Sequence, residues 1–136
     1  IALFLSLSLM VGMPHRIDSA KLLTEPPLTL EEHIGEIFGS DSKVAIAVLK
    51  HESGLNLNAK GWNCIYGGKS TSCKIPDRKY AWSVDCGIAQ VNVKGTECPA
   101  ELLTLEGNMK QVERIYKTQG LNAWVSYKTG AYKKYL

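Results

Sequence analysis

The sequence predicts an α+β fold in which helix predominates and a small β element sits in the middle of the chain. Apolar residues recur at helical spacing over residues 30–53 and again beyond Pro99. Between them the pattern gives way to Gly, Asn, Ser and β-forming residues. All four cysteines, Cys64, Cys73, Cys86 and Cys98, fall in that middle stretch. The 136 residues, 45% hydrophobic and 21% charged, suit one domain with its own core.

The elements follow in order. Residues 1–20 open with IALFLSLSLMVGM, an apolar run of signal-peptide length that is too short for a comfortable membrane span. A signal peptide is the expectation, with retention as an N-terminal membrane anchor as the alternative. Asp18-Ser19-Ala20 puts a small residue at a cleavage position but an acid two places before it. Without an initiator Met or a basic n-region, this leader reads as incomplete. Residues 21–28 hold Pro26 and Pro27 and read as a linker, and residues 29–136 as the domain.

Thr29-Leu30-Glu31-Glu32 offers a capping box for a short helix reaching about Gly39. Asp41 or Ser42 is expected to cap the next helix, DSKVAIAVLKHES. Its apolar residues occupy nearly the whole circumference, which marks a buried central helix stopped at Gly54. Residues 56–81 read as an irregular, cross-linked excursion with short strands toward its far end. Trp82 to Asn92 is expected to form one short β element leading to a turn at Lys94-Gly95. Helix then returns in a short segment at Ala100 to Leu103, in Asn108 to Thr118 up to Gly120, and from about Asn122 to Tyr135.

Four cysteines behind an export-like leader predict two disulfides and an extracytoplasmic location: secreted, periplasmic or at the cell surface. Of the three pairings possible, Cys64–Cys73 and Cys86–Cys98 are favoured because both close short loops, each contributing about 2–4 kcal/mol. There is no Cys-x-x-Cys pair, and His15, His33 and His51 are scattered, so neither a metal nor another cofactor is expected. The net charge of +3 fits a polyanionic substrate without requiring one. No basic stripe interleaved with aromatics points to nucleic acid, and a monomer is expected.

One acidic residue is out of place. Glu52, in HESGLN, falls in the last turn of the central helix, where Val48 and Leu49 share its face and the helix dipole opposes a negative charge. Both effects favour a protonated carboxyl, which is what a general acid requires. The plain alternative is a surface carboxylate pairing with Lys50 or another cation.

Three separated blocks bear on that choice. The first is Glu52-Ser53-Gly54-Leu55-Asn56 followed by Ala59. The second runs Ser83-Val84-Asp85-Cys86-Gly87-Ile88-Ala89-Gln90-Val91-Asn92, and the third Leu121-Asn122-Ala123-Trp124-Val125-Ser126-Tyr127 to Gly130. In that order they resemble the lysozyme-like superfamily, in particular lytic transglycosylases together with c-type lysozymes. The resemblance spans about Val44 to Tyr127. It implies a fold whose acid helix and small β element form opposite walls of a glycan-binding cleft. It also implies a substrate, the glycan strands of peptidoglycan.

On this resemblance Glu52 matches the general acid, which protonates the glycosidic oxygen between N-acetylmuramic acid and N-acetylglucosamine. Asp85 matches the second lysozyme carboxylate, and a strand-end Asp bonded to Ser83 is the plain alternative. Ser53, Gln90 and Asn92 match positions that bind substrate or shape the cleft floor, with Gln90 and Asn92 expected on one face of one element. Trp124 matches the lysozyme tryptophan beside the acid, and Tyr127 the transglycosylase tyrosine that approaches it. Leu57 stands where transglycosylases often carry Pro, Ala89 replaces a larger apolar residue, and the chain between Glu52 and Gln90 is longer than in compact members. The extra length, around Trp62 and Lys69 to Lys79, reads as either a disulfide-tied flap on the glycan or decoration. The expected activity is a lytic transglycosylase, with a hydrolytic lysozyme or a non-catalytic glycan-binding module as alternatives.

Overall fold

A computed structural model describes residues 25–136, so the expected leader and the start of the linker lie outside the described residues. Residues 25–28 are exposed and without regular structure. The described chain is a mixed α+β structure. Its helices are α1 (Leu30–Phe38), α2 (Ser42–Ser53), α3 (Leu105–Gln119) and α4 (Val125–Thr129). Its strands are β1 (Lys60–Tyr66), β2 (Lys69–Ser72), β3 (Ser83–Cys86) and β4 (Val91–Lys94), forming one antiparallel sheet in the order β2-β1-β3-β4. No described helix is long and apolar enough to cross a membrane.

The capping box forms as expected. Thr29 N–H donates to Glu32 Oε2 at 2.7 Å, and Glu32 N–H donates to Thr29 Oγ1 at 3.3 Å. The bond from the Thr29 backbone, aided by its hydroxyl, holds the Glu32 carboxyl below its ordinary range. The amphipathic helix then buries Ile34 and Phe38.

The expected cap of α2 does not form. Asp41 lies in a 3-10 turn, where its carboxylate accepts the Tyr116 hydroxyl at 2.7 Å, and Ser42 Oγ donates to Gly39 O at 2.6 Å. The tertiary partner on α3 takes the oxygen that the helix N-terminus would have used. At its other end α2 closes as expected, with Gly54 in the left-handed region at φ 65°. Ala45, Ala47, Val48 and Leu49 are buried.

The middle stretch departs most from expectation. Its strands come first: β1 and β2 form a hairpin joined by Gly67-Gly68, both at positive φ, and a 3-10 turn, Ile75–Tyr80, follows. The two-period alternation of Trp62, Cys64 and Tyr66 is blurred in the sequence by Ile65, which stands on the opposite face, and by the glycines and asparagines around it. Residues 82–92 are not one element but two antiparallel strands around a tight turn at 87–90, pairing Asp85 with Asn92. Both favoured disulfides are formed, Cys64–Cys73 and Cys86–Cys98.

α3 begins three residues early because the Thr104 side chain caps it, accepting from Gly107 N–H at 3.1 Å. The long C-terminal helix expected over 122–135 is instead broken into a 3-10 turn (Gly120–Ala123), α4 and a second 3-10 turn (Ala131–Tyr135). The breaks fall at Trp124, whose extended backbone carries its indole into the core, and at Gly130, with φ 77°.

One apolar core joins the layers. Val84, Cys86 and Val91 on one face of the sheet, with Ile88 and Ala89 of the tight turn, meet Val48, Leu49, Met109, Val112 and Trp124. Asn108 is fully buried among them, yet both of its side-chain polar atoms are bonded. Its Nδ2 donates to Cys86 O at 3.0 Å and Leu102 O at 2.7 Å, and its Oδ1 accepts from Ala89 N–H at 3.2 Å.

Candidate functional site

The end of α2 is tied down by the residues of HESGLN and its sequel. Ser53 Oγ donates to Ile88 O at 2.7 Å, fastening the helix end to the tight turn of the sheet. It also accepts from Asn56 N–H at 3.2 Å, while Asn56 Oδ1 accepts from Asn58 N–H at 2.9 Å. Gly54 and Leu55, at φ 65° and 63°, turn the chain so that Ala59 O receives Gly87 N–H at 2.8 Å. The Ser-x-x-Asn-x-x-Ala spacing thus builds the corner that sets β1 beside β3 and leaves Glu52 at the end of a rigid helix.

Glu52 is partly buried, and the buried hydroxyl of Ser126 on α4 donates to its Oε1. Among the described residues its Oε2 has no hydrogen-bond partner. The protein thus fixes one carboxyl oxygen and not the other.

Asp85 stands on the sheet face opposite the core. Strand alternation and register put Gly61, Asn63, Ser83, Asp85 and Asn92 on that face. Asn92 Nδ2 donates to Asp85 Oδ1 at 2.7 Å and Asn63 Nδ2 to Oδ2 at 2.9 Å. Both amides also reach Ser83 Oγ, at 3.0 and 3.2 Å. Both Asp85 oxygens therefore accept amide donors, an arrangement that suits an acceptor-only carboxylate.

Gln90 and Asn92 do not share one strand face as expected, because Gln90 lies in the tight turn with φ 51°. Its Nε2 donates to Gly87 O at 3.0 Å and Ala59 O at 3.3 Å. A Cβ at Gly61 would come within 3.1 Å of Gln90 Oε1 and 3.8 Å of Asp85 Oδ2, so the glycine keeps the space beside both side chains open.

Trp124 is buried, donates from Nε1 to Ala89 O at 3.0 Å and packs edge-on to Phe38. A groove of about 340 Å³ runs between the Ala89–Asn92 segment and α3, with Gln90, Asn92, Ile115 and Trp124 in its walls. Larger hollows of about 510 and 370 Å³ lie between residues 25–28, α1 and α3, and neither Glu52 nor Asp85 lines these hollows or the groove. Tyr127 stacks on Tyr132, with ring centroids 5.4 Å apart, and the bond to Glu52 comes from its neighbour Ser126.

The three sequence blocks thus meet at one place. Ser53 bonds to the turn, Trp124 bonds to the turn, and Ser126 bonds to Glu52. Sequence reasoning missed Ser126, Asn63 and Asn108. Ser126 stood inside the third block and Asn63 two places after Gly61, but neither residue type announces its partner. Among the described residues no group of three or more His, Cys, Asp and Glu side chains could hold a metal. No protein-family model, curated protein or solved structure significantly matches this chain.

Proposed function

We propose that the protein is a lytic transglycosylase of lysozyme-like fold, cleaving peptidoglycan at the β-1,4 bond between N-acetylmuramic acid and N-acetylglucosamine. The observation that carries this reading is the division of labour at the two carboxyl groups. Among the described residues Glu52 has one oxygen held by Ser126 and one without a partner, whereas both oxygens of Asp85 are occupied by Asn63 and Asn92. A single free carboxyl suits a mechanism in which one group is first acid and then base.

In this mechanism Glu52 gives its proton to the glycosidic oxygen as the bond to C1 of N-acetylmuramic acid breaks, and N-acetylglucosamine leaves with a free 4-hydroxyl. The resulting carboxylate takes the proton of the muramic acid C6 hydroxyl, whose oxygen closes on C1. The product is a 1,6-anhydro end, no water is consumed, and Glu52 is returned protonated. Asn92, Gln90 and the groove beside Trp124 hold the strand, and Asp85 orders the amides around it.

Hydrolysis is the second reading, favoured by the fixed, partly buried placement of Asp85. There Asp85 would stabilise positive charge at C1 while water attacks, as in glycosidases with paired carboxyl groups.

Digestion of purified peptidoglycan followed by mass spectrometry separates the two. Anhydro-muramyl ends, one water lighter than reducing ends, are expected; reducing ends as the main product would replace the first reading with the second. Glu52→Gln should abolish release of both. Equal release by mutant and wild type would overturn Glu52 as the acid, and none by either would leave a non-catalytic glycan-binding module.

A further inference from the structure

We infer that the disulfide-tied hairpin and the turn after it form a second glycan-binding surface, on which Trp82 stacks a sugar ring of an acidic, N-acetylated glycan strand extending from the Asp85 face. The inference rests on the proposed substrate and adds a site to it.

The first argument is continuity. The polar face that carries Asp85 and Asn63 runs outward across the sheet, since Asn63 pairs with Ser72 and Ile65 with Ser70. Trp82 immediately precedes Ser83, and its backbone N–H donates to Asn63 O at 3.0 Å. Its indole Nε1 donates to Ser70 Oγ at 3.2 Å, which pins the ring to β2. Trp82 stands three positions before Asp85 on extended chain, about 10 Å and on the order of one disaccharide repeat.

Exposure is the second argument. Trp82 is 45% exposed and Ile65 61%, although an apolar core lies beneath the same sheet. A fixed, exposed indole bordered by serine hydroxyls and an asparagine amide presents an apolar plate with hydrogen-bonding groups at its rim. The faces of a pyranose ring, with C–H groups inside and hydroxyls outside, are complementary to that pattern.

Charge decides which sugar. Residues 60–80 hold Lys60, Lys69, Lys74, Arg78 and Lys79 against Asp77 alone, more positive charge than the whole chain's net +3. Asp77 is occupied by the Tyr66 hydroxyl, and the one ion pair among the described residues is Lys117–Glu113, so these cations have no carboxylate partner. Lys74 and Arg78 lie over the rings of Tyr66 and Trp62 on the reverse of a ribbon one strand thick, close enough to act across it within the roughly 8–10 Å screening length. The matching strand carries carboxylates, as muramic acid does and chitin does not.

The test measures binding of the full chain carrying Glu52→Gln, which prevents turnover. The probes are peptide-free glycan strands of alternating N-acetylglucosamine and N-acetylmuramic acid, the corresponding disaccharide, and chitin oligomers of equal length. Trp82→Ala should weaken binding of the long strands roughly tenfold, the scale of one lost stacking contact, and leave the disaccharide unchanged. Trp82→Tyr should restore most of the loss, and far-UV circular dichroism should show both variants folded. Replacing Lys74 and Arg78 together by Ser should weaken the carboxylated strands and not chitin. Undiminished binding of long strands by Trp82→Ala, or equal loss for strands and disaccharide, would overturn the inference. If wild type releases no cleavage product while these differences persist, the proposed activity fails and the binding surface stands.

Discussion

At the scale of single residues the site depends on small hydrogen-bonding groups whose importance lies in what they touch. Ser126 is 3% exposed and gives its hydroxyl to Glu52. Ser126→Ala leaves the acid without its fixed partner, and we expect a loss of about 1 kcal/mol in urea denaturation. On the proposed activity, turnover on peptidoglycan should fall roughly tenfold with KM little changed, because the carboxyl keeps its place in the sequence but not its orientation. Asn108 faces two carbonyls with its amide nitrogen, so Asn108→Asp would set oxygen against oxygen in a buried site. That change should cost about 3 kcal/mol or more by the same measurement, despite the equal size of the side chains.

At the scale of elements, the tight turn between β3 and β4 accepts bonds from both Ser53 of α2 and Trp124 ahead of α4. Gly87 has φ 71°, and a Cβ there would lie 2.2 Å from Leu102 O and 2.4 Å from Asn108 Nδ2. Gly87→Ala must therefore move the Leu102 backbone or expel the Asn108 amide. We expect a loss of about 3 kcal/mol or more, seen as a lowered Tm, and on the proposed activity a loss of most of the turnover with it. The N-terminal helix carries a pH dependence of definite sign. The folded-state pKa of Glu32 lies below its ordinary value of 4.5, so its stabilising effect is complete above that value and is lost as pH falls through the lower, folded one. Glu32→Gln should flatten that acid limb of the stability profile by lowering stability at neutral pH while leaving the acid end nearly unchanged, as read from urea denaturation across pH.

For the whole molecule, the two disulfides are typical of extracytoplasmic proteins and act in different places. Cys86 is fully buried in the core, and its bond ties β3 to the chain ahead of α3. Cys64–Cys73 closes the β1–β2 hairpin. Replacing Cys86 and Cys98 by Ser should lower global stability by about 3 kcal/mol, the scale of a short closed loop, as read by Tm. Replacing Cys64 and Cys73 should instead loosen the hairpin, with faster hydrogen exchange confined to residues 60–80 and a smaller shift in Tm.

The sequence by itself determined the local elements whose signals are local. The Thr29–Glu32 capping box, the stop at Gly54, the end of α3 at Gly120 and the two short disulfide loops were all legible, because each depends on residues a few positions apart. It also marked Glu52 as misplaced on an apolar helix and put Asp85, Gln90 and Trp124 among the candidates. The tertiary structure alone decided what those side chains are bonded to. Asp41 serves Tyr116 instead of capping α2, the C-terminal helix breaks so that Trp124 can reach Ala89, and Ser126 arrives at Glu52 from 74 residues away. Such pairings follow from where packing brings distant segments together, and no periodicity or propensity along the chain encodes that choice.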